Sequence, residues 1–459
     1  MLITKPEWLY HPGEKNSRTP VFSCHVSHDG RRLATGGQDA TVRVWDFEVC
    51  KRFGQTPTRD GDGRAPPHAD QIARPASIER DGLLATLASH NGSVLCVRWS
   101  PSGMSLASAS DDRRIVIWER DHDGGTVITG HESDVVDLAW SPDGDMLASC
   151  GLHPHVYIWD VANGFEVLTK LTTHTGFVKG VAWDPVGKFL ATSSDDKSTK
   201  IWRVADWTLE EEITEPFRMA APSTFFQRLS WSPEGSCLAT SNGESGLLPT
   251  APLIYRDGWT AEDAALGHRG PIECTRFSPV LFESNAASPA APTTATTSDA
   301  VAHGAAADTS PPRRAILAIG GQDNSVSIWD HTQAAPLVVV KNLFYQFVTD
   351  MAWAPDGMHL VVSSYDGSLA LVQFAPGELG HPVPRGIIDQ ALARFGYRAD
   401  PKSVVFYPDQ LTREEQSRVS KAIVERQSRL HDLGLSSHVV AASTGTAAPP
   451  TTNGSTSTS

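Results

Sequence analysis

The chain has 459 residues, of which 40% are hydrophobic and 20% are charged, a composition typical of soluble globular proteins. Its formal net charge of −14 argues against a protein that binds DNA directly and sequence-specifically, because such proteins need a basic surface. No apolar stretch reaches the roughly 18 residues that a membrane-spanning helix requires. The six cysteines form no C-x-x-C pair, so we expect buried hydrophobic residues and not a zinc ribbon or redox motif.

One pattern repeats along most of the sequence. Each copy has a histidine, an apolar run, a turn of the type S/D-P-x-G, a second apolar run, an acidic turn and a third run that ends in tryptophan. Trp118, Trp159 and Trp202 close three copies at intervals of 41 and 43 residues. Short apolar runs bounded by Gly, Pro, Asp and Ser predict strands and tight turns. A repeat of this length with a His…Trp-Asp pattern is typical of one blade of a WD40 β-propeller.

Four further copies bring the number of predicted blades to seven. The first copy ends at Trp45, and the fifth, at residues 226–257, is degenerate. The sixth is split and ends at Trp329, and the seventh has Val372 where the tryptophan would stand. Seven blades close into a ring, and we expect the opening segment LITKPEWLY to pair with the seventh blade and close it.

Two insertions and a different C-terminal segment interrupt the repeats. Residues 47–78 are rich in charge, Gly and Pro and are predicted to form a long surface loop. Residues 285–312 are a low-complexity Ala/Thr/Ser/Pro segment that should be disordered. Residues 381–440 are predicted to be a partly helical extension, because a capping box at Thr412 precedes helically spaced apolar residues, and residues 441–459 to be a disordered tail.

The predicted fold is therefore all-β: a seven-bladed WD40 β-propeller at residues 1–380, with disordered insertions and a short helical C-terminal extension.

Paired carboxylates at Asp195 and Asp196 raise the question of an active site. A second pair stands at Asp111 and Asp112, and single aspartates occur at the same distance before the closing position in three other copies, at Asp39, Asp323 and Asp366. A catalytic pair would occur once, whereas a structural device recurs in the repeats. We therefore predict that the aspartate six residues before the tryptophan position holds the turn and accepts hydrogen bonds from the histidine that opens the blade. Asp195 is expected to face solvent.

A hydroxyl ten residues before the tryptophan would complete a buried network of hydrogen bonds. The predicted structural blade residues are Asp39, Trp45, His90, Ser108, Asp112, Trp118, His131, Trp159, His174, Thr192, Asp196, Trp202, His268, Asp323, Trp329 and Asp366.

The third blade has His153 in place of the turn aspartate, and His155 follows two residues later. Two histidines on one strand face could bind metal, but a substitution within the turn is the interpretation that we favour. The sequence contains no phosphate loop, nucleophile elbow or G-x-G-x-x-G motif. We therefore predict no catalytic, metal-binding or cofactor-binding residues.

Stretches between the repeat positions resemble one family. The most specific is WDPVGKFLATSSDDKSTKIWRVADWTLEEEITEPF at residues 183–217; others are LIYRDGW and SYDGSLALVQFAPGELG. These stretches resemble the HIRA/Hir family, the WD-repeat subunit of the replication-independent histone chaperone complex. The resemblance covers the whole predicted propeller, residues 1–380.

This resemblance implies a nuclear, non-catalytic scaffold for replication-independent nucleosome assembly that also represses transcription, including that of histone genes. It implies a ubinuclein/Hpc-type subunit and histones H3 and H4 as partners, the histones directly or through the complex, and no membrane or cofactor. Binding of the Asf1 chaperone does not carry over, because no compact basic motif follows residue 380. The family's long C-terminal domain has no counterpart in this sequence.

Two other functions stay open at the level of the sequence. The WD40 subunit of the replication-coupled chromatin assembly factor is similar at its N-terminus, although EITEPF and YRDGW favour the HIRA/Hir family. Substrate receptors of ubiquitin ligases often carry W-D-x-R after a blade, whereas the three W-D sites that close a repeat here read WDFE, WDVA and WDHT. An enzyme is the least expected class, since no residues outside the repeat pattern gather acids, bases or metal ligands.

Overall fold

Antiparallel strands make up most of the structure, as the short apolar runs of the sequence predict. The computed structural model describes residues 1–13, 17–53, 82–120, 124–220, 222–246, 248–283 and 313–397. The predictions for residues 285–312 and for most of residues 47–78 fall outside these ranges. So do the predictions for residues 398–440, which include Thr412, and for the tail at residues 441–459.

Blades 1 and 2 follow three short strands at the start of the chain, β1 (Leu2–Thr4), β2 (His11–Pro12) and β3 (Arg18–Thr19). Blade 1 consists of β4 (Val21–Val26), β5 (Arg32–Gly37), β6 (Val42–Asp46) and β7 (Leu83–Leu87), with helix α1 (Phe47–Arg52) after its third strand. Blade 2 consists of β8 (Val94–Trp99), β9 (Ser105–Ser110), β10 (Ile115–Glu119) and β11 (Gly125–Ile128).

Blades 3 to 5 repeat this arrangement. Blade 3 consists of β12 (Val135–Trp140), β13 (Met146–Gly151), β14 (His153–Asp160) and β15 (Glu166–Leu171). Blade 4 consists of β16 (Val178–Trp183), β17 (Phe189–Ser194), β18 (Ser198–Arg203) and β19 (Leu209–Ile213), and a 3-10 helix, Glu215–Phe217, follows it. Blade 5 consists of β20 (Ser230–Trp231), β21 (Cys237–Ala239), β22 (Gly243–Ser245), β23 (Leu248–Tyr255) and β24 (Thr260–Leu266).

Blades 6 and 7 complete the ring. Blade 6 consists of β25 (Ile272–Glu283), β26 (Arg313–Gly321), β27 (Val326–Asp330) and β28 (Val338–Val340). Blade 7 takes three strands from its own repeat, β29 (Val348–Trp353), β30 (His359–Ser364) and β31 (Leu369–Gln373). The described chain ends with β32 (His381–Pro382) and helix α2 (Arg385–Ala393).

The N-terminal strand supplies the fourth strand of blade 7. Leu2, Ile3 and Thr4 of β1 pair antiparallel with the residues of β31 from Gln373 back to Leu371. This pairing confirms the prediction that the opening segment closes the ring. Since the first residues of the chain complete the last blade, the β31 edge is covered and the two ends of the propeller are joined.

Each blade has its first strand innermost, and these inner strands neighbour one another around the channel. The turns between first and second strands therefore lie on one face, which we call the lower face. The turns between second and third strands and the connections between blades lie on the opposite, upper face. Apolar clusters fill the spaces between blades; Val42 and Val44, for example, pack against Val97 and Leu106. All six cysteines are buried and free, as predicted.

Residues 47–52, which were expected to lie in a loop, form helix α1. The Asp46 side chain accepts hydrogen bonds from the N–H groups of Glu48 and Val49 and so caps the helix. Glu48 in the first turn and Lys51 in the last suit the helix dipole, and Phe47 is buried. In the sequence Asp46 was interpreted as the aspartate of the Trp-Asp pattern, and its second role as a helix cap was therefore not predicted.

The segment after blade 7 packs against the lower face of blades 5 and 6. Strand β32 pairs with the end of β25, where Phe282 faces Pro382. Helix α2 then buries Ile388 and Leu392 in a cluster that contains Cys237 of blade 5 and Phe277 of blade 6. Apolar surface of α2 is thus part of the propeller core.

We predict that Leu392→Ala lowers the free energy of unfolding of the full chain by about 2–5 kcal/mol, because it leaves a cavity beside blades 5 and 6. Urea denaturation followed by tryptophan fluorescence measures this change. Gln390→Ala, on the exposed side of the same helix, is the matched control and should change stability little. Equal stability of the two variants would show that α2 does not contribute to the core.

Candidate functional site

The predicted residues of blade 4 meet in one buried network. Nδ1 of His174 lies 2.7 Å from Oδ2 of Asp196, and Nε2 lies 2.8 Å from Oγ1 of Thr192. Nε1–H of Trp202 donates to the same hydroxyl at 2.9 Å. Burial alone would raise the pKa of Asp196, but the hydrogen bonds and charge of His174 and the N–H of Thr175 hold it well below its ordinary value. The carboxylate of Asp196 therefore joins the connection into blade 4, which carries His174, to the turn between β17 and β18.

Blade 2 contains the same arrangement. His90 contacts Asp112 at 3.0 Å and Ser108 at 2.8 Å, and Trp118 donates to Ser108 at 2.9 Å. Each aspartate thus faces a histidine of its own blade and not a second carboxylate. Since the same arrangement recurs in both blades and its histidines and hydroxyls are buried, the geometry gives the turn aspartates a structural role.

Blade 1 forms its network with a histidine that the repeat spacing missed. His11 contacts Asp39 at 2.7 Å and Thr35 at 2.8 Å, and Trp45 donates to Thr35 at 3.0 Å. His11 belongs to the β2–β3 hairpin that precedes the first strand of the blade, so it stands 34 residues before Trp45, whereas the separation is 28 residues in blades 2, 3 and 4.

Blade 6 takes its hydroxyl from a different strand. His268 contacts Asp323 at 3.0 Å and Ser327 at 2.8 Å, and Trp329 donates to Ser327 at 2.8 Å. The position ten residues before the tryptophan is Ile319, so the expected placement of the hydroxyl was wrong for this blade. Ser327 on β27 provides the same acceptor from the neighbouring strand.

Blade 3 replaces the carboxylate with an imidazole. Nδ1 of His131 lies 2.6 Å from Nε2 of His153, Nε2 of His131 lies 2.6 Å from Ser149, and Trp159 donates to Ser149 at 2.7 Å. Burial lowers the pKa of His131 to about 3 and that of His153 to about 4. Two neutral rings can share one proton between their nitrogens. His153 thus occupies the place of the aspartate, as predicted, and the described ranges contain no group of three or more residues suited to hold a metal ion.

The last predicted aspartate, Asp366 in blade 7, does not belong to a complete network. Its carboxylate accepts the N–H groups of Tyr345 and Ser368, both at 2.8 Å. It therefore fixes the turn without a histidine or a tryptophan. None of the sixteen predicted residues lies in blade 5.

Asp195 does not face solvent, so that prediction was wrong. Its carboxylate lies 2.7 Å from Nζ of Lys179 and accepts a hydrogen bond from Nε2 of Gln227 at 2.8 Å. Only 13% of its side chain is exposed. The two neighbouring carboxylates of this tight turn have different partners. Asp196 contacts His174 of its own blade, whereas Asp195 bridges the inner strand β16 and the connection into blade 5.

The channel at the axis of the ring holds an ion network that the sequence did not reveal. Asp350 of blade 7 pairs with Arg98 of blade 2 at 2.8 Å, Arg228 of blade 5 at 2.8 Å and Arg276 of blade 6 at 2.9 Å. Asp137 of blade 3 lies 3.1 Å from Arg98 and 3.5 Å from Arg228. Two carboxylates and three guanidinium groups therefore connect five blades.

Arg228 crosses the channel and is fully buried. It donates to the carbonyl oxygens of Phe22 and Thr349, each at 3.0 Å, and of Leu95 at 2.7 Å. Burial alone would raise the pKa of Asp350, but the surrounding arginines hold it far below its ordinary value. The charges of the channel are thus paired with each other and with the backbone.

The stretches that carry the family resemblance meet at the junction of blades 4 and 5. Arg256 of YRDGW pairs with Asp184 of WDPVGK through two contacts, at 2.7 and 3.1 Å. Its guanidinium lies 4.4 Å from the ring centroid of Phe395, just after α2. Phe217 of TEPF is buried between the two blades. These residues fix the position of the degenerate fifth blade, which lacks a network of its own.

Seven blades, a ring closed by the N-terminal strand and His–Asp–hydroxyl–Trp networks define a WD40 β-propeller. Residues 11–46 match the sequence model of the WD domain, G-beta repeat. Residues 73–379 match that of the CAF1B/HIR1 beta-propeller domain, and the chain belongs to this family. Together with relatives named Hir1, this match confirms the resemblance to the HIRA/Hir family.

Relatives named for this family are similar along most of the chain. Protein hir1 of Schizosaccharomyces pombe is 33% identical over 448 residues, which cover 94% of this chain and 43% of the relative. Protein HIR1 of Cryptococcus neoformans is 40% identical over 415 residues, with 87% and 43% covered. The chain thus spans less than half the length of these curated relatives. In the part of the chain that the structure describes, no helix is long and apolar enough to cross a membrane.

We predict that Asp196→Ala lowers the free energy of unfolding by roughly 1–3 kcal/mol, because Nδ1 of buried His174 loses its carboxylate partner. Since the pKa of Asp196 is lowered by folding, its stabilising contribution is present above the ordinary value of 3.8 and is lost as the pH falls through the lowered pKa. The difference from wild type should therefore shrink as the pH falls below that value.

Thermal unfolding between pH 3 and 8 measures this effect. Asp206→Ala, an exposed aspartate in a turn of the same blade, is the control and should change little. An unchanged melting temperature for Asp196→Ala at pH 7 would contradict the structural role.

Proposed function

We propose that the chain is the propeller part of a non-catalytic, nuclear scaffold of a histone chaperone complex for replication-independent nucleosome assembly. The observation that carries this proposal is membership of the CAF1B/HIR1 propeller family together with relatives named Hir1 over most of the chain. Transcriptional repression, including that of histone genes, is part of the same proposal. The paired charges of the blades and of the channel support a role in binding, because acid–base catalysis requires groups that reach a substrate.

A ubinuclein/Hpc-type subunit and histones H3 and H4 are the proposed partners. The net charge of −14 supports an interaction with basic histones, since opposite charge accelerates encounter at long range. The histones bind either directly or through the complex. Asf1 is not proposed as a partner, because residues 381–459 contain no compact basic motif.

A second candidate is the WD40 subunit of the replication-coupled chromatin assembly factor. The observation in its favour is that the matching family model covers propellers of both kinds by its description. The names of the similar relatives favour the replication-independent complex.

We predict that the tagged full-length chain, purified from nuclear extract, retains a ubinuclein/Hpc-type protein and histones H3 and H4 when quantified by mass spectrometry against a tag-only control. A parallel binding assay with pure H3–H4 separates direct from indirect contact, and direct binding should weaken as salt rises from 50 to 300 mM.

Subunits of the replication-coupled factor in place of the ubinuclein-type protein would favour the second candidate. Recovery of a cullin adaptor without chromatin proteins would contradict both.

A further inference from the structure

A group of aromatic side chains lies on the upper face at the mouth of the channel. The ring of Phe347 stacks nearly parallel on those of Phe225 and Tyr365, with centroids 5.5 and 4.9 Å away and interplanar angles of 21°, while Phe225 and Tyr365 are tilted by 41° to each other. Phe225 is 53% exposed, and Tyr345, whose N–H is held by the turn that contains Tyr365, is 90% exposed. We call these four residues the aromatic platform: three have rings in contact, and Tyr345 stands two residues before Phe347 in the same connection. Single exposed aromatic residues are ordinary, whereas a contiguous exposed group marks an interaction surface.

The platform lies on a closed floor. Phe22, Val136 and Phe226 form a buried apolar cluster at this end of the channel, and Tyr365 packs against it. The ring centroid of Phe226 lies 3.9 Å from the guanidinium of Arg228, which the ion network holds in place. A ligand on this face can therefore lie across the platform but does not enter the channel.

Buried polar contacts fix the segment that presents Phe225. The carboxylate of Glu273 accepts the N–H of Phe225 at 3.2 Å, the N–H of Phe226 at 2.7 Å and Nε2 of Gln322 at 2.7 Å. Nζ of Lys179 donates to the carbonyl oxygen of Thr224 at 2.7 Å. A buried carboxylate is costly unless it is hydrogen-bonded, so these contacts hold the segment in one conformation. A partner that binds here loses little free energy in ordering the surface.

Negative charge flanks the platform on the side of blades 2 and 3. Burial and the neighbouring carboxylate of Asp111 raise the pKa of Asp134, and the charge of Arg113 offsets this effect only in part. The carbonyl oxygen of Asp134 accepts the N–H of Leu152 at 3.0 Å, and Leu152 packs against the apolar floor. Asp111, in the β9–β10 turn, and Asp134, in the connection into blade 3, therefore lie on the same face as the platform, and the backbone of Asp134 is joined through Leu152 to the floor beneath it.

We propose that the aromatic platform binds an extended segment of a partner protein in which an aliphatic or aromatic side chain lies close to an arginine or lysine. The apolar side chain covers the exposed face of Phe225, and the cation lies between the aromatic rings and the carboxylates of Asp111 and Asp134. A nucleic acid is a poorer occupant, since its phosphates would meet this carboxylate pair. The inference rests on this surface and does not depend on the chaperone role.

A displayed library of random peptides tests the proposal. The library is selected against the full chain and counter-selected against the Phe225→Ser/Tyr345→Ser double variant. We expect the enriched peptides to share an apolar residue within about three positions of Arg or Lys, a spacing of about 10 Å in an extended chain.

The best peptide is then synthesised, and its dissociation constant is measured by fluorescence anisotropy. Phe225→Ser should weaken binding at least about tenfold, which equals about 1.4 kcal/mol. Asp134→Asn should weaken binding and reduce its salt dependence.

Leu168→Ser, which removes a leucine that is 49% exposed on the outer strand of blade 3, is the matched control and should leave the affinity unchanged. Circular dichroism melting checks that each variant folds, and Tyr345→Ser alone tests the surface if Phe225→Ser does not fold, because Tyr345 is almost fully exposed.

Failure of the library to yield peptides that distinguish the full chain from the double variant would overturn the proposal. So would equal affinity for the wild type and Tyr345→Ser, or an oligonucleotide whose binding is abolished by Phe225→Ser. Each of these outcomes is independent of whether histones are recovered from nuclear extract.

Discussion

The carboxylate of Asp350 forms ion pairs that link four blades of the ring. It lies at the axis of the ring, without exposure to solvent, and its partners are arginines from three other blades. A buried charge is strongly destabilising when its partner is lost, so the positions of Arg98, Arg228 and Arg276 are mutually dependent. Asp350 thereby couples blades that are far apart in sequence. Through Arg228 it also supports Phe226, the floor beneath the aromatic platform.

The central network and the blade networks solve different problems. Within a blade, His174, Asp196, Thr192 and Trp202 fix one turn against one connection, and the same solution recurs around the ring. At the axis the inner strands of different blades meet, and no single blade supplies all the charged residues of the ion network. The blade networks therefore stabilise each unit, while the axial ion pairs fix how the units are arranged.

This difference explains how much could be predicted from the sequence. The blades, the closing strand β1 and the meeting of Asp112 with His90 follow from residue types that recur at fixed spacing. Asp350 and Arg228 carry too little signal of this kind, because the position of Asp350, three residues before the inner-strand tryptophan, holds an aspartate in only one other blade, at Asp137, and Arg228 lies more than a hundred residues away.

Local departures from the repeat account for the other differences. The β2–β3 hairpin separates His11 from the first strand of blade 1. In blade 6, Ser327 on the third strand provides the hydroxyl that the second strand provides in blades 1 to 4. From the sequence, Asp195 was expected to be the exposed member of the aspartate pair. Its ion pair with Lys179, on the inner strand of its own blade, instead holds its side chain in a mostly buried position. The exposed aromatic platform could not be foreseen, since Phe225 comes from the connection into blade 5 and Tyr365 from a turn within blade 7, and only the closed ring brings them together.

The central claim is that the axial ion network fixes the arrangement of the blades. The free energy of unfolding of Asp350→Asn, from urea denaturation at pH 7, tests it most directly, with Asp257→Asn in an exposed turn as the matched control. We expect a loss of about 3–5 kcal/mol for Asp350→Asn, because buried Arg98 and Arg228 and partly buried Arg276 lose their shared charge partner, and little change for the control. A loss at Asp350 no larger than that of the control would contradict the account.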